Sequence, residues 1–162
     1  MDTMINSCAA LLIERKLTLA FAESATAGRL AAEFSLADNA GKFLKGGIVC
    51  YDACLKEDLL NVPPSLISKY TPESVEVTHA ITAGLSKVIP ANIYIGVTGL
   101  TCPGGSETAE KPVGTMFICG MRDQQVMFSE RIVFDGSPEE IVIKTVSHTA
   151  RMLHQYLINK DN

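Results

Sequence analysis

Apolar residues recur at helical spacing from the start of the chain. Met4, Ile5, Cys8, Leu11 and Leu12 share one face and predict an amphipathic helix over about residues 3–15. Residues 17–22 form a short apolar run fit for a buried strand, broken at Glu23-Ser24-Ala25-Thr26-Ala27-Gly28, after which helix formers continue to about Phe34. Gly46-Gly47 open a second strand over residues 48–51. Residues 52–60 read as a helix ending before Pro63-Pro64, followed by a short turn to Tyr70. Thr71 or Ser74 caps a longer helix with Val77, Ile81, Leu85 and Val88 on its inner face, and residues 92–98 give the third strand. Beyond a Gly-rich loop, residues 99–110, two strands over 112–121 and 126–134 are joined as a hairpin by Arg122-Asp123-Gln124-Gln125. The first of these is apolar throughout, which predicts burial on both faces. Ser137 at the cap, Pro138 at the first position and Glu140 closing a capping box start the last helix. Its inward stripe is Val142, Val146, Thr149, Leu153 and Leu157. This order predicts an α/β fold: one domain spanning 1–162, built as a three-layer α/β/α sandwich around a mixed sheet of about five strands, parallel early and antiparallel late.

Composition narrows the function classes. The 162 residues, 47% apolar and 20% charged, suit one globular core. A formal net charge of −4 with no basic run gives no footing for nucleic acid or an anionic membrane. No apolar stretch is long enough to span a bilayer, and the amino terminus lacks the basic segment of a signal peptide. The five cysteines, Cys8, Cys50, Cys54, Cys102 and Cys119, contain no Cys-x-x-Cys, and three sit in apolar runs. That pattern predicts a reducing, cytoplasmic setting without disulfides. His79, His148 and His154 lack metal-pair spacing, so neither a metal nor a cofactor is expected.

In folds of this class ligands sit beyond the carboxyl ends of the strands, and three segments place polar residues there. The first is residues 23–29, where small residues turn the chain into a helix whose N–H groups suit an anion such as phosphate; Ser24 or Thr26 reads equally as a simple helix cap. In the second, Tyr51 ends a strand and Lys56 follows about one helical turn later, placed for a desolvated lysine to act as a general base. The same residues also read as an exposed Asp52–Lys56 pair with Tyr51 at an edge. The third runs from Thr98 through the glycines and hydroxyls of the long loop to Thr115, with backbone N–H groups for an oxyanion or phosphate and with Lys111 nearby. Its glycine spacing matches neither a Walker A loop nor a dinucleotide fingerprint.

Taken together these segments resemble the C-terminal domain family of CinA, the nicotinamide-mononucleotide amidases. The family pattern runs Ala-Glu-Ser-Cys-Thr-Gly-Gly, Gly-Gly-x-x-x-Tyr-x-x-x-x-Lys, Val-Thr-Gly-x-x-Gly-Pro-x-Gly and Lys-Pro-Val-Gly-Thr. The chain answers in the same order with residues 22–28, 46–56, 97–105 and 111–115. The resemblance implies the three-layer fold, a nucleotide-like small-molecule ligand, no metal and a homo-oligomer. It assigns Ser24, Tyr51 and Lys56 to catalysis, and Thr26, Thr98, Gly99 and Lys111 to substrate binding.

The chain also departs from the pattern. The family's serine nucleophile is expected ten residues before the tyrosine, where Gly41 stands, and an arginine is expected where Pro138 begins the last helix. Ala25 and Ala27 replace a cysteine and a glycine of the first motif, and Cys102 replaces a loop glycine. These departures predict very weak amidase activity in an enzyme with a substitute nucleophile, for which Cys102 and Ser35 are candidates. The alternative expectation is a non-catalytic homologue that binds a ligand or serves as a structural partner.

Overall fold

The computed structural model describes residues 3–159. Five strands make one sheet in the order β2-β1-β3-β4-β5. β1 (Leu19–Glu23) lies at its centre-left, parallel to β2 (Leu44–Val49) and β3 (Ile93–Gly99); β4 (Thr115–Arg122) and β5 (Gln125–Val133) continue it antiparallel. The mixed sheet, parallel early and antiparallel late, is the one the sequence pattern predicts.

Alternation along the strands sorts side chains between two cores. Leu19 and Phe21 of β1 and Ile93, Ile95 and Val97 of β3 face one layer, made of α1 (Thr3–Glu14), α2 (Arg29–Ser35) and α6 (Pro138–Asn159). Ala20, Ala22 and Tyr94 face the other, made of α3 (Ala53–Leu60), α4 (Pro64–Tyr70) and α5 (Val75–Leu85). β4 is buried on both faces as its unbroken apolar run predicts. Gly96 lets α5 lie directly on β3, because a Cβ there would stand 2.1 Å from the Thr82 hydroxyl.

Several details differ from the sequence expectation. Pro64 opens a true helix, α4, at the position where its missing N–H costs nothing. Ser74, not Thr71, caps α5, accepting from the Val77 N–H at 3.2 Å. That helix ends at Leu85, leaving Val88 47% exposed. In α6 the buried stripe is Ile141, Thr145, Val146, Thr149, Ala150, Leu153 and Leu157, so Val142 lies beside it. β4 starts at Thr115 because Pro112 to Gly114 form the turn before it.

Candidate functional site

β1 ends at Glu23, and the next residues turn sharply into α2. Ser24 is held in line by its N–H on the Val97 carbonyl at 3.0 Å, and the turn closes with Ala27 N–H on the Ser24 carbonyl at 3.0 Å. Ala27 and Gly28 then take positive φ, 47° and 94°. That conformation suits Gly28 and strains Ala27.

The buried Glu23 carboxylate fills the start of α2. Oε2 accepts from the Thr26 hydroxyl at 2.6 Å and from the N–H groups of Gly28 and Leu30 at 3.1 and 3.0 Å; Oε1 accepts from Ala31 N–H at 2.8 Å. This corrects the expectation of an anion site there: the chain's own carboxylate already takes those donors. Thr26 is committed to Glu23, and neither Ser24 nor Thr26 caps the helix.

Ser24, one residue on, turns to the opposite side of the sheet and meets Lys56. The Lys56 side chain, 1% exposed, carries its ammonium nitrogen to 3.0 Å from Ser24 Oγ, 2.7 Å from the Cys50 carbonyl and 3.3 Å from the Tyr51 carbonyl. Asp52 caps α3 through Cys54 N–H, so the exposed Asp52–Lys56 pair does not form. Burial pulls Lys56 below the free-lysine value, while its neighbours, the Glu73 and Asp52 carboxylates among them, pull it partly back. As an ammonium, Lys56 donates to all three oxygens. Once it gives up a proton, the Cys50 and Tyr51 carbonyls, which only accept, hold its two N–H bonds and the lone pair turns to Ser24.

Ser24 and Ala25 form one wall of a cavity of about 200 Å³, completed by Tyr51, Glu73 and the loop from Gly99 to Gly105. Tyr51 lines the cavity as an exposed residue, and its carbonyl accepts from Lys56. Thr98 is fully buried behind the cavity, its hydroxyl 2.9 Å from that of Thr78. The loop's N–H groups at Gly104 and Gly105 donate to the two oxygens of Glu107, each at 2.8 Å. Lys111 is no free loop lysine: its ammonium donates to the Thr71 hydroxyl at 2.6 Å, the Ser106 hydroxyl at 2.7 Å and the Glu73 carbonyl at 2.9 Å, tying the loop to the segment before α5. Ser106 in turn donates to the Glu73 carboxylate.

Of the remaining candidates, Gly41, Ser35 and Pro138 lie away from this cavity, and Cys102 lines it. Gly41 lies in a 3-10 turn (Ala40–Lys42) entering β2, where Phe43 bonds Leu19 at the start of β1. Parallel pairing puts it at the opposite end of the sheet from Ser24, roughly 15 Å along the strand at about 3.3 Å per residue. A nucleophile at position 41 therefore does not reach Lys56 within this chain. Ser35 ends α2, exposed, its hydroxyl donating to the Ala32 carbonyl at 2.6 Å. Pro138 borders a separate shallow depression with residues 26–29. Cys102 is exposed on the cavity's rim.

Glu23, Glu73 and Glu107 were not singled out by the sequence reading. A glutamate at the end of an apolar strand and before a helix start, or two residues past a Gly-Gly pair, is the local signal that finds Glu23 and Glu107; Glu73 comes to the cavity through tertiary packing.

The CinA C-terminal domain family matches residues 1–157. A CinA-like protein of Desulfotalea psychrophila is 34% identical over 97% of this chain, and one of a Geobacter species is 33% identical over 98%. The chain spans 38% of the length of each of these relatives. A competence-damaged protein (CinA) superfamily structure from Klebsiella pneumoniae superposes with a TM-score of 0.91 at 26% identity, covering 96% of both chains. The competence damage-inducible protein A of the same species gives 0.89 at 27%, covering 94% of this chain and 93% of that one.

Proposed function

Because the chain belongs to the CinA C-terminal domain family and holds a buried lysine amine on a serine hydroxyl at the edge of a cavity, we propose that it is a serine–lysine amidase acting on a nicotinamide-mononucleotide-like carboxamide. The observation that carries the proposal is the 3.0 Å contact between Ser24 Oγ and Lys56 Nζ. Ser24 Oγ attacks the carboxamide carbon as Lys56 takes its proton. The tetrahedral intermediate collapses to an acyl-enzyme, and Lys56 returns the proton to the departing ammonia. Water then repeats the sequence and releases the carboxylate. Ala25 lines the cavity and its N–H has no acceptor among the described residues, which supports its use as an oxyanion donor.

The expectation of very weak turnover rests on Gly41 at the nucleophile position and on Pro138 in place of an arginine. Taking Ser24 as the nucleophile answers the first ground and leaves the second standing. Ammonia release from nicotinamide mononucleotide, measured with a coupled dehydrogenase, tests the reading. Wild-type protein releases ammonia, and Ser24→Ala loses the activity by about four or more powers of ten while keeping its melting temperature. Equal release by the two proteins defeats the proposal.

A further inference from the structure

The mechanism leaves one group in the cavity unused. Glu73, half-buried between α4 and α5, is the one ionisable carboxylate among the residues that line it. The hydrogen bond on its carboxylate comes from Ser106 and engages Oε2 alone. No ammonium or guanidinium of the described residues forms an ion pair with it. The adjacent Lys111 spends its three donors on Thr71, Ser106 and the Glu73 carbonyl. Tyr51, a largely exposed aromatic residue, lines the same cavity. A carboxylate with an uncommitted oxygen and an aromatic face, in one partly desolvated cleft, is the chemistry that recognises an organic cation.

We propose that Glu73 determines specificity in this cavity by pairing with positive charge on the ring that bears the amide, so that cationic carboxamides are selected over neutral ones of the same shape. The inference rests on the cavity being the amide site proposed above. Tyr51 supplies the stacking face and Glu73 the counter-charge, while Ser106 and Lys111 fix the carboxylate's direction. Glu73 also acts on Lys56, whose ammonium form its charge favours. A cation bound at Glu73 offsets that field and favours the free amine that Ser24 needs.

Binding, not turnover, decides the matter. Titrations followed by protein NMR compare 1-methylnicotinamide, a pyridinium carboxamide, with 3-methylbenzamide, its neutral counterpart of the same shape. The expected result is a cation bound about tenfold more tightly by wild-type protein. The preference disappears in Glu73→Gln, whose amide oxygen still accepts from Ser106, and persists in Ser106→Ala. Equal affinities in the wild type, no saturable binding of the cation, or a preference that survives Glu73→Gln overturns the proposal. So does an equal loss in Ser106→Ala, which reduces Glu73 to a loop anchor. A protein that prefers the cation yet releases no ammonia defeats the amidase reading alone.

Discussion

Glu23 and Ser24 are neighbours in sequence, both polar and both buried, and they have opposite fates. Strand alternation sends Glu23 to the α2 side, where four donors satisfy its two oxygens. It sends Ser24 to the α3 side, where its hydroxyl meets a lysine amine and borders a cavity. A buried polar group whose hydrogen bonds are complete holds structure; one whose partner is a desolvated base, with space in front of it, is available for chemistry. The difference separates a completed structural group from the one placed for the proposed chemistry within two residues.

Replacing Lys56 is the strongest way to sharpen that contrast. Lys56→Met removes the base and lowers ammonia release by about three or more powers of ten. It also removes a buried amine, so the protein becomes more stable by about 1 kcal/mol, seen as a melting temperature raised by about 2–4 °C. The pH dependence has the same origin. Folding lowers the Lys56 value below 10.5, so the folded state binds this proton less readily than the unfolded chain. Its cost to stability is full below the folded value and vanishes as pH rises towards 10.5. Ammonia release accordingly rises with pH along a limb centred below 10.5, and a limb centred at or above that value contradicts the burial argument.

Glu23→Gln attacks the other side. An amide places an NH2 among donors and forfeits charge-assisted bonds, at a cost of about 3 kcal/mol. Thermal unfolding should register this while activity per folded molecule stays within about tenfold. A Glu23→Gln protein of unchanged stability would mean that the α2 start does not depend on its carboxylate. Ala27→Gly acts on the same turn in the opposite direction: it relieves the positive φ and adds about 0.5 kcal/mol after the entropy glycine costs. Gly41→Ser is expected to do least. No atom lies within 4 Å of the added Cβ, and the position faces away from the cavity, so stability and ammonia release both stay within experimental error.

The elements were legible because periodicity is local: helical spacing over residues 3–15, the apolar run of β4 and the box from Ser137 to Glu140 each needed only neighbours in sequence. The Ser24–Lys56 meeting was legible one step further, from the rule that strand ends gather ligands. Counting residues back from Tyr51 leads to Gly41, and the place of that turn in the fold was not legible, because a linear offset carries no information about which end of a parallel strand a turn occupies. The anion cradles failed for a related reason. N–H groups free for an anion were expected at α2 and in the Gly-rich loop, but the side chains that take them, Glu23 and Glu107, are set by geometry that composition does not display.

The bond from Ser24 N–H to the Val97 carbonyl joins residues far apart in the chain and seats the serine beside β3. Helices and the β4–β5 hairpin form from short-range contacts, whereas the β1–β3 pairing requires closure of a long intervening loop. Ser24 acquires its position only when that closure is complete. During refolding, recovery of ammonia release should therefore trail the return of helical circular dichroism, making the serine–lysine contact a late marker of assembly.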